Sequence, residues 1–258
     1  MSETIAFVVA WVVPFLIGMV TAVFNVVGGG GSLLTIPALV ETGLSAQAAN
    51  ATNRIGVWLQ AVVSSTTFVK RKQVPFPIAW QLMPFGMAGA IAGAVAAAKI
   101  DETQFRLVLA IVFAAMGVQL LRDLLLGKMN APPSDVPTEF SVKLALATVG
   151  IGFYGGFIQA GAGIVILLVM TSVGSMGIKA ANGLKVFLVL GFATVSLIVF
   201  LSIDQSLIAW GPGFTFGTGS MVGGWLGARY HEKIDGQTVG WILVVAVFAA
   251  AGRFAGLF

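Results

Sequence analysis

The sequence contains no cysteine among its 258 residues and a single histidine, His231. That excludes disulfides, thiolate nucleophiles, cysteine-ligated metals and any multi-histidine metal site within one chain. Charge is almost as scarce: 9% of residues are charged, where a soluble chain carries about 25%. The 14 lysines and arginines are spread thinly and form no patch for nucleic acid. Paired interior carboxylates, a Ser/His arrangement and metal-ligand clusters are all missing, so the sequence points away from an enzyme and calls for no cofactor.

What is abundant is apolar. Hydrophobic residues make up 58% of the chain and its mean hydropathy is +0.98. A soluble domain of this size has too little interior to hide that surface, so the surrounding solvent must itself be apolar. No segment alternates over about ten residues as an outer-membrane strand does. The expected class is all-α, a polytopic membrane protein.

The few charges divide the chain into intervals. Residues 4–40, 73–98, 107–121, 144–178, 186–203, 205–228 and 236–252 are uncharged, and 42–69 carries only Arg54. A membrane helix needs about 20 apolar residues, so the reading is about eight transmembrane helices. Met1 to Val9 lacks the basic start of a cleaved signal peptide, and Thr4 to about Val27 reads as a retained first span. The first and fifth intervals are overlong and glycine-broken, at Gly28–Gly31 with Ser32 and at Gly155-Gly156 with Gln159 to Gly163. Non-helical backbone at membrane depth is tolerated where it is buried in protein or lines a cavity.

A repeat connects the two breaks. A shift of 132 lays Gly29 and Gly31 on Gly161 and Gly163, and Ala48-Ala49-Asn50 on Ala180-Ala181-Asn182. A shift of 134 lays Lys99-Ile100-Asp101 on Lys233-Ile234-Asp235. The chain therefore reads as two four-helix repeats, 1–127 and 141–258, each with a glycine-broken first helix. They are joined by a cytoplasmic linker at 128–140 containing Pro132, Pro133 and Pro137. Four crossings per half would point the halves the same way, unless a break adds a crossing. Counting lysine and arginine by face gives seven against five, with the Lys70-Arg71-Lys72 cluster on the richer side, which places both termini in the cytoplasm at the inner membrane.

Two cations fall inside spans. Arg54 lies nine residues after Ser45 and Lys185 eight after Gly177, about 12–14 Å into their helices. Burying a cation at this depth costs about 2.5–3.5 kcal/mol, and no interior carboxylate offsets it. The reading is an anionic guest. Asn50, Thr52, Asn53 and Asn182 stand within one or two turns as donors. Helix restarts at Gly30–Gly31–Ser32 and Gly161–Gly163 would add backbone N–H groups and a positive dipole end. Asn25 and Gln159 precede the breaks and line the same proposed cavity.

The stretch Gly28 to Leu39, with Gly43 and Ala48-Ala49-Asn50-Ala51-Thr52-Asn53, resembles the sulfite exporter TauE/SafE family, as does the duplicated layout across the chain. The second glycine motif departs from the pattern by lacking a downstream proline. The resemblance implies an inner-membrane permease for sulfite, an organosulfonate or a related small sulfur oxyanion; composition and spacing indicate only an anion. The rival on the same scaffold is an anion channel or a permease for another anion. Gly89-x-x-x-Gly93 and Gly223-x-x-x-Gly227 read as close helix contacts, within the bundle or between the protomers of a homodimer. His231 reads as part of a solvated loop, and Lys70-Arg71-Lys72 as a topology determinant that also meets membrane lipid headgroups.

Overall fold

The computed structural model describes residues 11–126 and 139–257, all helix and turn among those residues. The order is α1 (Val13–Gly28), α2 (Ser32–Glu41), α3 (Ala46–Lys70), α4 (Phe76–Lys99), α5 (Glu102–Leu125), α6 (Val142–Phe157), α7 (Ala162–Ser172), α8 (Ile178–Ile203), a 3-10 turn (Gln205–Leu207), α9 (Trp210–Tyr230) and α10 (Gly236–Phe254). Helix starts follow local chemistry. The side chains of Ser45, Asp101, Ser141 and Asp235 accept from N–H groups of the first turns of α3, α5, α6 and α10. Each cap satisfies donors that a helix start leaves orphaned. The linker prolines lie outside the described residues.

Four helices, α4, α5, α8 and α10, are individually long and apolar enough to cross a membrane. Their outer faces carry large apolar residues, such as Leu107, Ile111 and Val118 on α5 and Val245 on α10. The more polar α3 is held inside the bundle. Gly219, Gly223 and Gly227 of α9 bring it against Phe15, Met19 and Val23 of α1, running parallel. Gly89 and Gly93 of α4 approach Val149 and Phe153 of α6 in the same parallel manner. Both glycine motifs are thus used within the chain, where a Cβ would strike backbone.

The long helices sort the chain into two ends. At one, Glu102 accepts from the N–H groups of Ala46 and Gln47, and Arg253 pairs with Glu41 at 3.0 Å. At the other, Arg71 donates to the carbonyls of Ala228 and Arg229, and Lys179 pairs with Glu232 at 3.0 Å. We call these the Asp101 end and the Lys70 end. α3 and α8 run antiparallel, since Trp58 donates to Thr194 and Ser65 to the Val186 carbonyl. α5 and α10 are antiparallel too, with Gly117 against Phe248 and Gly240 against Leu124.

These directions correct three expectations. The second helices of the two halves, and the last ones, oppose each other, so the halves do not share one direction. The reason is the glycine breaks: α2 returns from the interior toward the end where α1 began, and α7 does the same after α6. The linker flanks, at Leu125 and Val142, lie at the Lys70 end, whereas Trp11 and Phe254 belong to the Asp101 side. The described residues that flank the linker therefore lie at the opposite end from Trp11 and Phe254. The charge split changes as well. Among the described residues, Lys70, Arg71, Lys72, Arg122, Lys143, Lys179, Arg229 and Lys233 share the Lys70 end, and Lys99, Arg106 and Arg253 mark the other.

Candidate functional site

The two breaks meet in the interior. Gly29 has a φ of 79° and Gly161 a φ of 72°, left-handed values that glycine adopts without steric cost. A Cβ on Gly29 would lie 2.4 Å from the carbonyl carbon of Gly163. Only bare backbone permits that approach.

The two buried cations each serve the opposite half. Arg54, fully buried, donates through Nη2 to the Gly156 carbonyl at 2.7 Å, and through Nη1 to the Gly155 carbonyl and Gln159 Oε1. Its guanidinium also sits 5.6 Å from the Phe200 ring centroid. Lys185 donates from Nζ to the carbonyls of Val26 at 2.7 Å and Asn25 at 3.2 Å. Those carbonyls close α6 and α1, the negative ends of their dipoles. Helix termini thus supply the counter-charge that no carboxylate provides.

A polar crevice lies at the start of α2. It is constricted too far for a freely moving water. Thr21, Asn25, Gly31, Ser32, Thr35, Asn53, Gln60 and Ser220 line it, together with Ala22, Val57 and Phe216. Asn25 Nδ2 donates to Gln60 Oε1 at 2.9 Å. Asn53 is fully buried, and both its Nδ2 and its Oδ1 lack a hydrogen-bond partner. A buried amide with neither end satisfied carries a free-energy cost, which a guest with complementary groups would relieve.

Of the residues singled out from sequence, the crevice gathers Asn25, Gly31, Ser32 and Asn53. Gly30 sits beside it, its position crowded by Leu243 and Ile164 side chains. Asn50 Nδ2 instead donates to the Phe157 carbonyl, and Thr52 Oγ1 accepts from the Ala209 N–H. Gln159 is engaged by Arg54. Gly161 and Gly163 form the second restart. Asn182 lines a different space, a vestibule of about 450 Å³ shared with Val27, Leu167, Ile178, Lys179, His231 and Glu232.

Thr21, Thr35, Gln60 and Ser220 were not singled out from sequence. Gln60 had a signal, standing two turns after Asn53 on the same face of α3. His231 is a correction: it is half-buried rather than solvated, with its ring 5.0 Å from that of Phe68 and Nε2 buried without a partner. Burial pushes its pKa below the ordinary histidine value, against the opposing hydrogen bond to the Ala228 carbonyl.

Comparison with known proteins follows this geometry. The family model described as "Sulfite exporter TauE/SafE" matches residues 14–254. A "Probable membrane transporter protein" of Haemophilus influenzae is 31% identical over 220 residues, covering 83% of this chain and 82% of that protein. "Probable membrane transporter protein ORF9" of Sinorhizobium sp is 23% identical, over 93% of this chain and 90% of its own. "Probable membrane transporter protein YfcA" of Escherichia coli K12 is 26% identical, over 86% and 79% respectively. No solved structure matches.

Proposed function

The chain belongs to the sulfite exporter TauE/SafE family of membrane transporters, and from that premise we propose that it is a secondary transporter moving a small sulfur oxyanion, sulfite or an organosulfonate. The observation that carries the reading is Asn53, a buried amide unpartnered at both ends beside the first residues of α2. The unpaired N–H groups of that helix start and its positive dipole end favour an anion. Ser32, Gln60 and Asn53 would hold the oxygens. The vestibule at the cation-rich Lys70 end would be the approach. Lys185 stands between the two, because Asn25 lines the crevice, Val27 lines the vestibule, and Lys185 grips the carbonyls of Asn25 and Val26.

The architecture supporting this reading is a duplicated unit in inverted orientation. Each half contributes three crossings, α3–α5 and α8–α10, and one hairpin, α1–α2 or α6–α7. That gives eight membrane elements, with the first of each half folded back at its glycines. Inverted repeats meeting at broken helices are a recurrent transporter plan. The asymmetry of lysine and arginine, eight against three among the described end residues, favours the Lys70 end in the cytoplasm of a cell-membrane protein. The ends of α1 and α10 then face outward, the reverse of the sequence expectation.

Flux of radiolabelled sulfite into proteoliposomes tests the function. Wild type should transport with saturation and counterflow, which a channel lacks. Asn53→Leu should lose transport by at least about tenfold, the loss of one to two charge-assisted hydrogen bonds. Equal flux in Asn53→Leu and wild type would remove the crevice from the pathway.

A further inference from the structure

The crevice is built for a guest that donates as well as accepts. Three of its four hydroxyl groups, all but that of Ser32, have committed their hydrogens to their own helices. Thr21 Oγ1 donates to the Gly18 carbonyl at 3.3 Å, Thr35 Oγ1 to the Gly31 carbonyl at 3.3 Å, and Ser220 Oγ to the Phe216 carbonyl at 2.9 Å. What these oxygens have left are lone pairs. Asn53 adds one unpartnered acceptor, Oδ1, beside its unpartnered donor, Nδ2. An oxyanion with no hydrogen of its own would satisfy Nδ2 and the start of α2, but would set its lone pairs against those of Asn53 Oδ1 and the hydroxyls.

The electrostatics favour the same guest. No charged side chain lines the crevice. The lining elements carry Glu41 on α2, Arg54 and Lys70 on α3, and Arg229 and Tyr230 on α9, none of which lines the crevice; the buried cations nearest it, Arg54 and Lys185 of α8, are held on helix-end carbonyls. The helix start supplies about half a charge. Desolvation of an ion rises with the square of its charge, while attraction to a fixed partial charge rises only linearly. A dianion therefore loses about four times as much hydration as a monoanion for about twice the attraction.

We propose that this site, taken as the substrate site argued above, accepts a singly charged oxyanion group in a form still carrying an O–H or N–H hydrogen: hydrogensulfite rather than sulfite, and an ammonium-bearing sulfonate rather than a bare one. The hydrogen is received by Asn53 Oδ1 and the lone pairs of Thr21, Thr35 and Ser220, while Asn53 Nδ2 and the α2 start hold the sulfur oxygens.

The test is equilibrium binding to the purified full chain in detergent, with sulfite, sulfate, methanesulfonate and 2-aminoethanesulfonate as probes. Total sulfite should bind roughly tenfold more weakly for each pH unit above the hydrogensulfite pKa, as expected when only the protonated ligand binds. Methanesulfonate keeps its charge over that range, so its pH dependence measures any titration of Lys185 or other protein groups and is subtracted. 2-Aminoethanesulfonate should bind at least about tenfold more tightly than methanesulfonate, because a site made for a donor rejects the analogue lacking it. Thr35→Val, which keeps shape and removes one acceptor, should narrow that gap by several-fold. Sulfite binding that is unchanged or tighter at high pH, or equal binding of the two sulfonates, overturns the proposal and leaves the transporter reading standing. Failure of every sulfur oxyanion to bind at any pH overturns that reading and this one with it.

Discussion

Arg54 and Lys185 show how a buried cation is accommodated without an acid. Each terminates a broken helix by donating to its last carbonyls, and each reaches across to the other half. Two charged hydrogen bonds to helix-end carbonyls are worth about 3–6 kcal/mol together. Arg54→Met should therefore lower the thermal stability of the detergent-solubilised protein by that order, readable as a drop in melting temperature. A variant that keeps its melting temperature but loses anion binding would instead make Arg54 a direct ligand. Sequence reveals the two cations because they interrupt apolar runs, but not their partners, since a backbone carbonyl has no letter of its own. His231 gives a second prediction at this scale. Burial lowers its pKa below 6.5 in the folded chain, with Glu232 raising it and Arg71 and Lys185 lowering it further. A depressed folded-state pKa means the stabilising contribution is complete above the unfolded value and lost as pH falls through the folded one. His231→Gln should consequently show a smaller fall in melting temperature than wild type between about pH 7 and pH 5; an equal fall would place the acid sensitivity elsewhere.

At the scale of elements, the breaks are decided by glycine contact as much as by glycine flexibility. Gly29 and Gly43 both have positive φ, 79° and 96°. A Cβ on Gly29 strikes Gly163, whereas one on Gly43 meets nothing within 4 Å. Gly43→Ala should thus cost only the backbone strain, about 1–2 kcal/mol, and leave transport intact. Gly29→Ala should add the collision and abolish transport or assembly, measured as flux per inserted protein. Matching behaviour of the two variants would reduce the break to a simple backbone requirement. The starts of α3 and α8 were legible, because Ser45 and Gly177 each precede an apolar run whose interior carries a single cation, Arg54 or Lys185. The direction after each break was not. Glycine says where a helix ends, while the return of α2 and α7 depends on tertiary contacts, such as Gly31 packing on Thr21 and Asn25 of α1. Ser220 escaped for a similar reason: it reaches the crevice from α9, and no spacing within one helix announces that meeting.

At the scale of the whole molecule, those two folded-back hairpins invert one half against the other and so reassign every terminal charge. Counting by alternate loops gave a weak seven-to-five bias, because it placed Lys179, Arg229 and Lys233 opposite Lys70. With the helix directions in hand, those residues join Lys70, Arg71 and Lys72, and the bias becomes steep. Lysine and arginine near helix ends resist translocation, and acids contribute little to that rule; four described acids at each end, Asp123, Glu139, Glu232 and Asp235 against Glu41, Asp101, Glu102 and Asp204, leave the conclusion unchanged. The Lys70 end, with its vestibule, should face the cytoplasm. The absence of native cysteine makes the measurement clean, since any introduced thiol is unique. Ser206→Cys, exposed at the Asp101 end, should react with a membrane-impermeant maleimide on intact cells. Gln237→Cys, exposed at the Lys70 end, should react only after permeabilisation. The opposite pattern would put the vestibule outside and make it a port of release for an exported anion or of capture for an imported one, rather than the cytoplasmic approach to Asn53.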